Sequence, residues 1–197
     1  MADILDINIT YKIIICILVI FILFRKVIIY NYRIMMASIR NKYILDELFN
    51  KDKKWNYKNI SKQVIKTYNV VEKSWTDDDI GKAKDYMGKE LYEVFNSRLK
   101  WMRVDNKKNI LKKIKLLSVK PVVVKNFDDD KKDFIWFYIN GSMINYVIDI
   151  KNKERLSGSK KAKSFGEFWK FMKNEDNKWI LMEILPKDKI DMVMIED

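Results

Sequence analysis

The chain contains no histidine and a single cysteine among 197 residues. Without histidine, the commonest general base and the commonest metal ligand are both missing. Every Ser-His or Cys-His nucleophile arrangement is excluded as well. The lone cysteine, Cys16, sits inside an apolar run, so neither an intrachain disulfide nor a cysteine-based zinc site can form. Glycine occurs five times and is scattered, which leaves no glycine-rich phosphate loop. No catalytic group, cofactor or metal site is therefore expected. Arginine is scarce too, with 6 residues against 33 lysines. Arginine is what reads guanine and stacks on bases, so sequence-specific nucleic-acid recognition is not expected.

What is present is 48% hydrophobic, 34% charged and 13% aromatic, a balance suited to one folded domain with an appendage. The net charge of +12 points to anionic partners. An AT-rich coding sequence, crowded with Lys, Ile and Asn codons, would also raise it, so the distribution of charge says more than its total. From Arg25 to Lys66 there are 11 basic and 3 acidic residues, net +8, two-thirds of the whole.

The run Ile13 to Phe24, IIICILVIFILF, is unbroken and extended by apolar flanks to about Tyr30. It is read as a single membrane span, with an in-plane or re-entrant anchor, and after that a core helix or processed signal, as the alternatives. Tyr11, Tyr30 and Tyr32 stand where interfacial aromatics would. Asp3 and Asp6 ahead of the run, and no small-x-small site after it, argue against a cleaved signal. Only Lys12 precedes the run, whereas Arg25, Lys26, Arg33, Arg40 and Lys42 follow it. Lys/Arg asymmetry then places the C-terminal part on the cytoplasmic side of the cell inner membrane, or its matrix counterpart. The same five residues are candidate contacts for anionic lipid, each adding roughly 1 kcal/mol near such a surface. The organisation expected is an anchor over residues 1–30, a basic amphipathic helix and linker over 31–56, an α+β domain over 57–185, and a tail over 186–197.

Within the domain, Ile60, Val64, Tyr68, Val71 and Trp75 fall on one helical stripe. Thr76 with Asp77, Asp78 and Asp79 reads as the capped start of a short helix to Tyr86. A calcium loop would need an acid where Gly88 stands. A further helix is expected to bury Leu91, Val94, Phe95, Leu99 and Met102. The period then changes to two. Strands are expected over 109–125, 134–150, 164–173 and 178–185, with a mobile Ser/Gly/Lys loop over 151–163 and a hairpin at Asn174 to Asn177. Pro121 implies an edge strand or a bulge, and Gly141 a bend or bulge. Helices first and a meander after means an α+β fold.

Alternation puts Phe165, Glu167, Trp169 and Phe171 on one strand face, an acid among large aromatics that needs a partner. Phe134, Trp136 and Tyr138 share a face as well. A sheet apolar on both faces either has a second cover or lines a cavity. The candidate pocket residues are Trp75, Tyr92, Phe95, Trp136, Tyr138, Glu167, Trp169 and Phe171.

From Tyr57 to Leu185 the chain resembles the Tim-forty-four-like domain family. The resemblance rests on the helix around Trp75, Asp79, Lys84-Asp85-Tyr86-Met87, Leu91, Phe95, Leu99-Lys100-Trp101-Met102, Asn109-Ile110-Leu111, the F-x-E-x-W-x-F ending from Phe165 to Phe171, Trp179-Ile180-Leu181 and Ile184. Lys173 stands where the family often has Arg. The resemblance implies a cone-shaped fold like nuclear transport factor two, with a curved antiparallel sheet and helices enclosing an apolar cavity. It also implies association with anionic membrane lipid. Mitochondrial members tether a chaperone motor or a ribosome, and motor tethering is not carried over because its linker region has no counterpart here. The expected function is a non-enzymatic, membrane-anchored module binding a lipid acyl chain or apolar peptide. The alternatives are a structural tether for a protein partner or ribosome and, more remotely, an enzyme with Glu167 as base.

Overall fold

The computed structural model describes residues 2–174 and 176–196, with side chains from residue 9 onward. Its packing separates residues 1–36 from a compact unit of residues 37–197.

Helix α1, Ala2–Lys51, carries neither glycine nor proline and runs unbroken for 50 residues. Between Ile9 and Ile29 its large apolar side chains are all exposed. It is the one helix among the described residues long and apolar enough to cross a membrane, and it lies near the N-terminus. This is the organisation of a single-pass membrane protein. Arg25, Lys26, Arg40 and Lys42 are exposed, and Arg33 is half-buried.

The compact unit is α+β, with four antiparallel strands in the order β1-β2-β3-β4. The last turns of α1 belong to it. Leu45 is fully buried, and Asn41 Nδ2 donates to Val122 O at 2.8 Å. The stretch expected as a linker carries a core residue, Trp55, whose ring meets Trp179 edge-on at 5.5 Å. Helix α2, Tyr57–Thr76, starts where Asn56 caps Asn59 N and buries Ile60, Val64, Tyr68 and Val71 of the predicted stripe, with Trp75 half-buried. The expected cap at Thr76 is not formed. Thr76 ends α2, donating from Oγ1 to Glu72 O at 2.8 Å, and Asp77 pairs with Lys73 and Lys82 at 3.1 Å. A 3-10 helix, Ile80–Tyr86, follows, then α3, Lys89–Val104. Of the expected α3 stripe only Leu99 is fully buried, and Val94 is exposed.

The strands are β1, Lys107–Lys125; β2, Phe134–Asp149; β3, Arg155–Lys173; and β4, Trp179–Pro186. Pro121 is on an edge strand and at a register shift, so both expected roles apply. At Gly141 a Cβ would lie 2.6 Å from Lys115 O, so only glycine permits the approach of β1. The expected 151–163 loop is instead largely strand, because Ser157, Gly158 and Ser159 pair with Val147, Tyr146 and Asn145 of β2. Neither face of that stretch is covered, so no apolar alternation marked it. In the β3-β4 turn Asn174 Oδ1 accepts Lys178 N at 2.9 Å; Glu175, expected in that hairpin, lies outside the described residues.

Ile139 pairs with Glu167, Phe137 with Trp169 and Ile135 with Phe171, so these six share one face. The five apolar ones pack with Leu45 and the α2 stripe into the main core. The other face, with Trp136, Tyr138 and Phe168, is met by the C-terminal residues. Helix α4, Ile190–Ile195, buries Ile190 and Val193, and Glu196 accepts from Trp136 Nε1 at 3.1 Å and Lys170 Nζ at 2.7 Å. The tail is thus the second cover that a sheet apolar on both faces requires.

Candidate functional site

α2, α3 and the helix-facing side of the sheet do not close completely. They leave a cavity of about 390 Å³. α2 contributes Val71, Glu72 and Trp75, spaced so that all three lie along one helix edge. α3 contributes Leu91, Val94, Phe95 and Arg98 from the opposite side, and the sheet supplies Asn109, Leu111, Met143, Asn145, Glu167, Trp169 and Ile184. The volume is within the usual range for small-ligand sites.

Three aromatic contacts set its shape. Trp75 meets Phe95 edge-on at 5.4 Å, tying α2 to α3. Tyr68 lies between Trp169 and Phe165, with centroids 5.5 and 6.4 Å away, tying α2 to β3. Arg98 holds its guanidinium over the Trp75 ring at 5.7 Å. Beside the cavity is a wider open hollow that shares Met143, Asn145 and Glu167 and adds Lys161 and Lys163.

The partner that Glu167 was expected to need is Trp169, whose Nε1 donates to Glu167 Oε2 at 3.0 Å. That bond lowers the Glu167 pKa, but burial outweighs it and the net direction is up. Glu72 is pushed up to about 8, first by burial and then by the neighbouring Glu167 charge. The buried Tyr68 hydroxyl is shifted upward by burial, then by Glu72 and Glu167.

Of the eight candidate pocket residues, Trp75, Phe95, Glu167 and Trp169 line the cavity. Four do not. Trp136 and Tyr138 project from the other face of β2, where Tyr138 packs on Phe168 at 5.2 Å. Phe171 is on the right face but fully buried in the core, edge-on to Phe137 at 5.9 Å. Tyr92 is half-buried against the core without lining the cavity. Sequence reasoning missed Glu72, Arg98 and Asn109. Glu72 follows Val71 on the predicted stripe, and that adjacency was the available signal. Of the candidate lipid contacts, Lys42 places its ammonium over the Tyr57 ring at 5.4 Å.

No protein-family model and no curated protein sequence matches this chain. Among solved structures, the intermembrane space region of chloroplast protein ARC6 is similar, at 11% identity and a TM-score of 0.48, over 66% of this chain and 97% of that one.

Proposed function

We propose that the protein is a membrane-anchored, non-enzymatic binding module of the Tim-forty-four-like kind, whose cavity takes a lipid acyl chain or an apolar peptide segment. The observation that carries this reading is the cavity of about 390 Å³ walled by Trp75, Leu91, Phe95 and Trp169. An apolar wall left open to solvent gains free energy when apolar ligand atoms cover it, by about 25 cal/mol per Å². Native mass spectrometry of the full chain tests it. A lipid or peptide should stay bound after the detergent is stripped, and Met143→Trp, which fills the cavity from β2, should lose it. A wild-type protein that flies without any adduct overturns the reading.

The membrane proposed is the cell inner membrane, with residues 37–197 on the cytoplasmic side. The support is the Lys/Arg asymmetry, and Arg25, Lys26, Arg33, Arg40 and Lys42 are the proposed contacts for anionic lipid. Protease added outside intact cells should then leave the compact unit whole.

A second reading, a tether that docks a protein complex or ribosome, is favoured by one feature. Val94, Trp101 and Val104 on α3 are 62%, 69% and 70% exposed. A crosslinked partner together with an empty cavity would select it.

A further inference from the structure

Polar groups short of partners lie in and beside the cavity. Glu72 on α2 and Glu167 on β3 both line it. Among the described residues neither carboxyl has a Lys or Arg at ion-pair distance. Asn109 on β1 lines it too, and its Oδ1 is buried with no hydrogen-bond partner. Tyr68, one helical turn before Glu72, is 0% exposed and its hydroxyl is unpartnered. Its ring lies against Phe165 and Trp169, the two residues that flank Glu167 on the same strand face. Native proteins rarely leave buried polar groups unmatched, because each costs roughly 1–3 kcal/mol. Here Asn109 Oδ1 at the cavity and the Tyr68 hydroxyl in the adjoining core are both unmatched. Of the cations nearby, Arg98 of α3 also lines the cavity but holds its guanidinium over Trp75, and Lys161 and Lys163 of β3 line the adjoining hollow that Glu167 shares.

We infer that the cavity recognises a cationic amphiphile, a primary ammonium that donates to Glu72, Glu167 and Asn109, carried on an apolar body that covers Trp75, Phe95 and Trp169. This rests on the reading of the cavity as an apolar binding site and adds the charge of its ligand. An ammonium brings three donors and no acceptor, which suits two carboxyls and an unpartnered amide oxygen. Its hydrogen bonds to carboxylates are charge-assisted and stronger than those a neutral hydroxyl makes. The Trp and Phe faces also attract a cation. An anionic head in the same place meets two carboxyls and a single cation, Arg98, whose guanidinium lies over the Trp75 ring.

The test uses the full chain in lipid nanodiscs at pH 8, with empty nanodiscs as the blank. Isothermal titration compares 4-phenylbutylamine, 4-phenylbutanol and 4-phenylbutyrate, which share one apolar body and differ in head group. The amine should bind at least about tenfold more tightly than the alcohol, a difference of about 1.4 kcal/mol, with the carboxylate weakest. Glu72→Gln combined with Glu167→Gln, checked for native near-ultraviolet circular dichroism, should bring the amine down to the alcohol's affinity. Equal binding of amine and alcohol by the wild type overturns the cationic preference and leaves the apolar site standing. Undiminished amine binding by the double variant also overturns it. If none of the three binds, the apolar-ligand reading fails and this inference falls with it.

Discussion

Lys173 Nζ lies 2.6 Å from Asp133 Oδ2, with side chains 2% and 0% exposed. The two residues are 40 positions apart, one at the end of β3 and the other just before β2. Lys173 is also over the Trp55 ring at 4.5 Å and the Trp179 ring at 5.4 Å, and Asp133 accepts Phe127 N at 2.8 Å. One buried ion pair therefore gathers the end of the α1–α2 connection, β3, β4 and the turn before β2.

Because both charges are desolvated, removing either leaves the other unmatched. Asp133→Ala or Lys173→Met should each destabilise the fold by about 3–5 kcal/mol. Lys173→Met with Asp133→Ala should cost less than the two single losses added together. Denaturant unfolding of the three variants, followed by tryptophan fluorescence, checks this. Strictly additive losses would mean that the pair is not coupled.

Glu72 keeps its proton up to about pH 8, against an ordinary value of 4.5. Between those values the folded protein binds more protons than the unfolded chain. Stability therefore falls as pH rises from about 4.5 to about 8 and then levels off. Glu167 is shifted in the same direction and keeps part of that slope. Glu72→Gln should melt close to wild type at pH 5 and about 3 °C or more above it at pH 9. Parallel melting curves at all pH values would contradict the assignment. By the same sign, amine binding by the wild type should strengthen from pH 6 to pH 9, as Glu72 gives up its proton.

The C-terminal cover should matter mainly through apolar burial. Val193 is 0% exposed and Ile190 6%, whereas the Lys170–Glu196 pair is partly open to solvent. Glu196→Gln should cost less than about 1 kcal/mol. Ending the chain at Pro186 should cost several-fold more, since each large apolar side chain uncovered is worth about 1.5–3 kcal/mol. The truncated chain should also bind an apolar dye, as Trp136, Tyr138 and Phe168 become accessible. A truncation no worse than Glu196→Gln would show that the tail covers nothing of consequence.

The α2 stripe from Ile60 to Trp75, the long apolar helix around Ile13 to Phe24, the edge position of Pro121 and the shared face of Glu167 and Trp169 were all legible in the sequence. Each depends on the geometry of one element: 3.6 residues per helical turn, two per strand repeat, a proline without N–H. Three other features were settled by the tertiary structure alone. Trp136 and Trp169 are both aromatic strand residues, but which sheet face receives the helices and which the tail depends on pairing across β2 and β3. The Arg155 end of β3 is strand because β2 supplies its hydrogen bonds, not because of its side chains. Glu72 looks like an ordinary helix-surface glutamate until the fold sets it opposite Glu167. A local pattern fixes the direction of a side chain within its own element, whereas a neighbour from a distant part of the chain exists only once the elements have packed.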